Sequence, residues 1–222
     1  MKMNLPNKLT VLRLIMVPIF MVVMLIPAFA HLAPLTESIL TLVGAALFIA
    51  AAITDMLDGK IARRDGLVTD FGKFLDPLAD KFMVIGALLC VLYTSFANNG
   101  GWLSILYFFA LIIVIFRELA VTSIRLIASS SKGVVIAANM LGKLKTVMQI
   151  VAISSAIIEP VLIKAIVYAL NQGGIQTEAA VSGFFFMFPP ITVISMVAMI
   201  YLTIHSGINY IVGAWKYLDH TK

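Results

Sequence analysis

The chain has 222 residues, of which 61% are hydrophobic and only 12% are charged. With a mean hydropathy of +1.04, it holds more apolar surface than one soluble core can bury, so we expect a single polytopic membrane domain over residues 1–222. In a membrane protein, the excess of Lys and Arg behind the formal net charge of +5 is best explained by membrane orientation and contact with anionic lipid. We do not expect a nucleic-acid partner. The only cysteine, Cys90, excludes an intrachain disulfide and is expected to pack in the core.

Six apolar runs are long enough to cross a bilayer, which predicts an all-α bundle of six transmembrane helices. The first run ends in Pro27-Ala28-Phe29-Ala30, which resembles a signal-peptide cleavage region, but Arg13 interrupts the run early and favours a retained helix. The six runs cover about residues 9–30, 39–59, 78–97, 102–124, 144–168 and 184–212.

Basic residues alternate between the two sides of the predicted bundle. They are frequent before the first run, around the second and fourth connections and in the tail, whereas the opposite connections carry almost none, with Lys164 as the exception. Because cytoplasmic loops are enriched in Lys and Arg, we expect both termini to be cytoplasmic.

Six aspartates fall within residues 54–81, where the second predicted helix ends and the third begins. About 16 apolar residues precede Asp55 and about 16 follow Asp80, which places both near the cytoplasmic boundary of a bilayer core roughly 30 Å thick. Ionisable side chains at that depth cost roughly 2 to 3 kcal/mol each unless paired or hydrated, so they should face a shared polar cavity. Three basic residues reach the same level by the same count: Arg13, Arg117 and Lys145.

The second predicted helix presents an open acidic face. Asp55 and Asp58 are i,i+3 neighbours, and Gly59 and Ala62 lie one turn beyond each of them. A bulky ligand can therefore lie against the backbone beside the two carboxylates.

The third predicted helix carries a matching stripe, with Gly72, Asp76 and Asp80 at intervals of four. Four carboxylates packed together cannot all stay ionised without cations, so we expect hard divalent ions, typically Mg²⁺, on these oxygen ligands. The remaining acids, Asp65 and Asp70, are expected to be solvated or paired with nearby basic residues.

The two stripes form one continuous pattern: Asp55-x-x-Asp58-Gly59-x-x-Ala62-Arg63, eight residues, then Gly72-x-x-x-Asp76-x-x-x-Asp80. This pattern resembles the signature of the CDP-alcohol phosphotransferase family at every defined position. The segments "NLPNKLTVLRLIMVP", "FREL" and "LGKLKTVMQ" are similar to the bacterial branch that joins CDP-diacylglycerol to sn-glycerol 3-phosphate, forming phosphatidylglycerol phosphate and CMP.

The resemblance implies a role for each residue of the signature. Asp80 would ligate metal and act as the general base, and Arg63 would stabilise the departing CMP. The implied cofactor is Mg²⁺ or Mn²⁺, as two ions, and the implied assembly is a homodimer in a bacterial inner membrane with its active site near the cytoplasmic face. The metal ligands would be Asp55, Asp58, Asp76 and Asp80, and the CDP-diacylglycerol site would comprise Asp58, Gly59, Ala62, Arg63 and Gly72.

The acceptor alcohol carries its own phosphate, which requires cations. Lys143 and Lys145 lie about 200° apart on a helix, so only one is expected to face the cavity, and the sequence leaves either open. Arg117 followed by Glu118 is also compatible with a local ion pair, and Thr10 with either a helix cap or a cavity lining. The candidate phosphate ligands are Arg117, Lys143, Lys145 and Arg125, and Arg13 is a further, less favoured candidate.

Two alternatives stay open at this level. One keeps the reaction but changes the acceptor to serine, an inositol phosphate or another alcohol. The other is a divalent-cation transporter, for which acids near the bilayer midplane would be expected rather than acids near one boundary.

Overall fold

The computed structural model describes residues 4–30, 32–65, 69–98, 101–132, 140–172, 183, 185 and 188–215. Over these residues the chain is all-helical, with six long helices and no strand, which confirms the predicted fold class. The helices are α1 (Leu5–Phe29), α2 (Pro34–Asp65), α3 (Asp70–Ala97), α4 (Gly101–Lys132), α5 (Met140–Gln172) and α6 (Pro190–Ala214).

Five of the described helices are long and apolar enough to cross a membrane: α1, α2, α4, α5 and α6. The remaining helix, α3, carries acidic and basic residues along its first three turns. From Phe82 to Ala97 it has no charged residue. The chain is therefore a multi-pass membrane protein. The predicted cytoplasmic position of its termini stays a prediction.

Local sequence explains where several helices begin. The Asn4 side chain accepts a hydrogen bond from Asn7 N (3.1 Å) at the start of α1, and Thr69 Oγ1 accepts one from Gly72 N (3.0 Å) at the start of α3. Two helices have proline within their first two positions, Pro6 in α1 and Pro190 in α6, where a missing N–H costs nothing.

The start of α6 is capped from another helix. Glu159 of α5 is buried and accepts hydrogen bonds from Ile191 N (3.1 Å) and Thr192 N (2.6 Å). A carboxylate at a helix N-terminus satisfies free N–H groups and complements the helix dipole. Glu159 thus ties α5 to α6 at one end of the bundle.

The core joins all six helices. α1 packs on α2 and α3, α5 packs on α2 and α6, and α4 packs on α3 and α6. The rings of Phe20 and Phe48 meet at 5.7 Å between α1 and α2, and Cys90 is buried in the same core, as predicted. Many large apolar side chains remain exposed on the outer faces of the helices, as expected for surfaces that contact lipid.

A close helix contact depends on Gly44 in α2. A Cβ atom at this position would lie 2.5 Å from Met24 Sδ and 2.9 Å from Met24 Cγ of α1. Because small residues allow helices in membranes to approach closely, Gly44 sets the spacing of α1 and α2. These two helices carry opposite sides of the charged site described next.

Candidate active site

The charged residues meet near the end of the bundle where α1 begins and α2 ends. Arg13 of α1 is completely buried, and its Nη1 forms an ion pair with Asp55 Oδ1 at 2.6 Å. Its Nη2 donates a hydrogen bond to Asp58 Oδ2. Arg13 therefore holds the two acids of α2 from the opposite side.

Thr10 lies one turn before Arg13 and faces the same acids. Its buried Oγ1 donates a hydrogen bond to Asp76 Oδ1 (2.6 Å) and lies 3.5 Å from Asp58 Oδ2. Of the two roles left open for Thr10, the structure excludes the helix cap, because the cap of α1 is Asn4. Together, α1 contacts three acids of the signature.

Asn7 extends this polar stripe of α1 towards the start of α3. Its Nδ2 donates a hydrogen bond to Thr69 Oγ1 (2.9 Å). A Cβ atom added at Gly72 would lie 2.9 Å from Asn7 Oδ1 and 3.3 Å from Thr69 Oγ1. Gly72 is thus needed for the contact between α1 and α3, and its predicted contact with the nucleotide stays a prediction.

Asp80 of α3 lies deeper than Asp76, whose side chain is exposed. Its Oδ1 is buried and has no hydrogen-bond partner among the described residues. The charges of Asp55, Lys145 and Glu118 all act on it. Asp80 therefore lies where the acidic group meets a second charged group.

This second group, which we call the basic cluster, consists of Arg117 and Lys145 with Glu118 between them. Glu118 Oε1 accepts a hydrogen bond from Arg117 Nη1 (3.0 Å) and one from Lys145 Nζ. Arg117 Nη2 also donates to Ser206 Oγ of α6 at 3.0 Å. The local ion pair of Arg117 with Glu118 is real, but it belongs to a network that spans α4, α5 and α6.

The structure separates the other basic candidates. Lys145 is buried and Lys143 is exposed. Only one of the two lysines therefore faces the interior, as expected, and it is Lys145. Arg125 is exposed and lies over the ring of Tyr210, 5.8 Å from the ring centroid. Neither Lys143 nor Arg125 is joined to the basic cluster by a described hydrogen bond.

Four predicted positions fall partly outside the described part of the structure. The backbones of Ala62, Arg63, Asp65 and Asp70 lie in α2 or α3, but their side chains are not described. The roles of Ala62 and Arg63 in binding the nucleotide therefore stay predictions, as do the solvated positions of Asp65 and Asp70.

Divalent metal ions are generally used by the family that the signature resembles, and the donors here are of the right type. Carboxylate oxygens are the ligands that Mg²⁺ and Mn²⁺ prefer, and the buried Asp80 Oδ1 has an unsatisfied acceptor. Within the described residues, no three acidic, His or Cys side chains already surround one point, and Asp55 and Asp58 contact Arg13 instead. The residues fit a divalent ion in the chemistry of their oxygen donors, provided that Arg13 shares Asp55 and Asp58 with it.

Sequence reasoning missed several residues of the site. Asn7, Thr10 and Arg13 occur at intervals of three along α1, and this stripe is the signal that would have included Asn7. Thr69 and Ser206 carry no such signal, because each reaches the site through the packing of another helix.

Comparison with known proteins agrees with the signature. Residues 3–219 match the family described as CDP-alcohol phosphatidyltransferase. A Bacillus subtilis (strain 168) protein named CDP-diacylglycerol–glycerol-3-phosphate 3-phosphatidyltransferase is 47% identical over 158 residues, which cover 70% of this chain and 77% of that protein. A Mycobacterium tuberculosis (H37Rv) protein named probable phosphatidylglycerophosphate synthase is 35% identical over 213 residues, covering 96% and 82%.

The match extends over nearly the whole chain and includes both helices that carry the acids. It confirms the resemblance drawn from the spacing of the aspartates and glycines. The chain belongs to the CDP-alcohol phosphatidyltransferase family.

Proposed function

We propose that the chain transfers a phosphatidyl group from CDP-diacylglycerol to sn-glycerol 3-phosphate, giving phosphatidylglycerol phosphate and CMP. The observation that carries this proposal is Asp80, whose buried Oδ1 has no hydrogen-bond partner among the described residues and which lies within electrostatic range of both Asp55 and the basic cluster. One side suits a metal-bound diphosphate, and the other suits a phosphorylated alcohol. The names of the Bacillus and Mycobacterium relatives support the same assignment.

The lipid substrate would enter laterally and place its diphosphate at the acidic end of the bundle. When bound, two divalent ions, Mg²⁺ or Mn²⁺, would neutralise the diphosphate and draw charge from the phosphorus. Gly59 and Ala62 would leave room for the nucleotide beside Asp58, with Arg63 and Gly72 at its edges. The metal ligands would be Asp55, Asp58, Asp76 and Asp80.

Asp80 would act as the general base. It would accept the proton of the attacking hydroxyl while the alcohol oxygen bonds to the phosphorus that carries diacylglycerol, and the bond from that phosphorus to the CMP oxygen breaks. The burial of its free carboxylate oxygen supports this role, because the oxygen has no competing donor among the described residues. Arg63 would stabilise the charge that develops on CMP.

The basic cluster would hold the phosphate of the acceptor. Arg117 offers a planar fork of donors and Lys145 a compact charge, and Glu118 keeps the two cations close together. Lys143 and Arg125 lie at the exposed edge and would act, at most, in the approach of the anion.

A bacterial inner membrane is the expected location, with the active site at the cytoplasmic face where a soluble phosphorylated alcohol arrives. A homodimer stays a prediction from the family.

The test supplies detergent-purified protein with CDP-diacylglycerol, Mg²⁺ and one acceptor at a time, and measures CMP. We expect release with sn-glycerol 3-phosphate and little with serine or an inositol phosphate. Release with another alcohol alone would overturn the choice of acceptor but not the reaction. Movement of a divalent ion across liposomes, without CMP release, would instead favour a transporter.

The role of Asp80 has its own test. Asp80→Asn should lower turnover by at least about a thousandfold, because the amide cannot accept the proton, while binding of CDP-diacylglycerol stays within roughly tenfold of the wild type. Asp65→Asn, in the spacer between the two halves of the signature, is the matched control. Normal turnover of Asp80→Asn would exclude Asp80 as the base.

A further inference from the structure

Arg13 is not part of the aspartate signature, yet it is the most deeply buried charged residue of the site. Its side chain has 0% exposure, and it touches both Asp55 and Asp58. A buried arginine is tolerated within a membrane helix only when its charge is compensated. The burial of Arg13 therefore depends on the two acids, of which Asp58 is itself buried.

The same two carboxylates are the metal ligands of the proposed function. A guanidinium and a divalent cation both bind carboxylate oxygens, and Arg13 Nη1 lies 2.6 Å from Asp55 Oδ1. Asp58 Oδ2 is shared further, because Thr10 Oγ1 lies 3.5 Å from it. Arg13 contacts one oxygen of each carboxylate, so a metal ion on Asp55 and Asp58 either displaces Arg13 from these oxygens or binds the remaining oxygens close to its positive charge, and in both cases Arg13 opposes the metal.

Asp80 differs from the other acids in this respect. No described hydrogen bond joins it to α1, and its Oδ1 is buried without a partner. It is therefore available to a cation without displacing anything, whereas Asp55 and Asp58 are available only in competition with Arg13.

We propose that Arg13 is a built-in counter-cation that neutralises Asp55 and Asp58 when metal is absent and yields part of this contact when metal binds. This inference rests on the proposed function only for the identity of the metal ligands. Arg13 is a positioning residue in this role, since it acts on the reaction through the metal ligands. α1 thereby sets how tightly the acids bind metal.

Two consequences follow from the competition. Without Arg13, the acids repel one another more strongly in the absence of metal, so the protein unfolds more easily in chelator. When metal is present, the acids in a variant without Arg13 no longer interact with this residue, so their affinity for the metal ion rises. Lysine would keep the charge but, as a compact ammonium, cannot bridge two carboxylates as a planar guanidinium does.

The experiment compares full-length Arg13→Gln, Arg13→Lys and wild type in detergent. It measures the thermal unfolding midpoint in EDTA and in rising Mg²⁺, and the Kd of Mn²⁺ by electron paramagnetic resonance. Arg13→Gln should have a lower midpoint in EDTA, a larger gain with Mg²⁺ and a Kd for Mn²⁺ about tenfold lower than wild type. Lys8→Gln, an exposed lysine of the same helix, should match the wild type.

If Arg13→Gln does not fold, Arg13→Lys provides the measurement. The Arg13→Lys protein should bind Mn²⁺ a few-fold more tightly than wild type. Equal or weaker Mn²⁺ binding by the variant that folds would overturn the inference. If wild type still releases CMP in the presence of metal, the proposed function survives that result. Wild type that neither binds Mn²⁺ nor releases CMP would overturn both.

Discussion

The two lysines near the start of α5 differ in ways that kinetics can measure. Lys145 is buried against Glu118, whereas Lys143, two residues earlier on the same helix, is exposed. In the proposed function, the buried Lys145 would hold the acceptor phosphate and the exposed Lys143 would not.

Lys145→Met should raise the KM for sn-glycerol 3-phosphate by roughly tenfold or more, since in the proposed function it removes a charge that would contact the acceptor phosphate. Lys143→Met is the matched control, with a change of less than about threefold. Initial rates of CMP release, with each substrate varied in turn, provide the measurement. Equal effects of the two substitutions, or an effect on the KM for CDP-diacylglycerol alone, would remove Lys145 from the acceptor site.

At the scale of the elements, α1 is the helix on which the site depends. Its stripe of Asn7, Thr10 and Arg13 contacts α2 and α3, and its apolar face packs on Gly44. The close approach of α1 to α2 brings Arg13 within reach of Asp55. The packing of apolar residues near the middle of the bundle therefore supports the geometry of the charged end.

Gly44→Ala should lower the free energy of unfolding by about 1 to 3 kcal/mol, because Met24 must move to admit the new methyl group. Gly213→Ala is the control, since a Cβ there meets no atom within 4 Å, and it should be neutral or slightly stabilising. Thermal unfolding in detergent measures both. A Gly44→Ala protein as stable as the wild type would mean that the contact between α1 and α2 is not tight.

At the scale of the whole molecule, the direction of the bundle in the membrane follows from its basic residues. The charged site lies at the end that holds Lys8, Lys60 and Lys81, and the opposite end holds the connection between α1 and α2. The excess of Lys and Arg at the first end predicts that it faces the cytoplasm.

Cysteine labelling in intact cells tests this orientation. Cys90 is buried at 1% exposure, so it should not react, and Cys90→Ala provides a clean background. A cysteine placed at Thr36, which is exposed beside the start of α2, should react with a membrane-impermeant maleimide from outside, whereas one at Lys8 should react only after the cells are opened. Labelling at position 8 from outside, and at position 36 only in opened cells, would show the opposite orientation and would mean that the site is on the outer face.

The class of fold, and the helix faces on which the four acids lie, could be predicted from the sequence alone. Long apolar runs have no stable alternative to helices in lipid, since every backbone polar group must be satisfied within the segment. The spacing of Asp55, Asp58, Asp76 and Asp80 determines which faces of two helices they occupy, because the helical period is constant.

The contacts between charged residues of different helices could not be predicted in the same way. The choice of Lys145 over Lys143, the pairing of Arg13 with Asp55 and Asp58, and the bond from Arg117 to Ser206 all join different helices. Helix period gives the direction of a side chain around its own axis, but it does not give the rotation of one helix against another. Close packing sets that rotation, through contacts such as Gly44 with Met24 and Gly72 with Asn7.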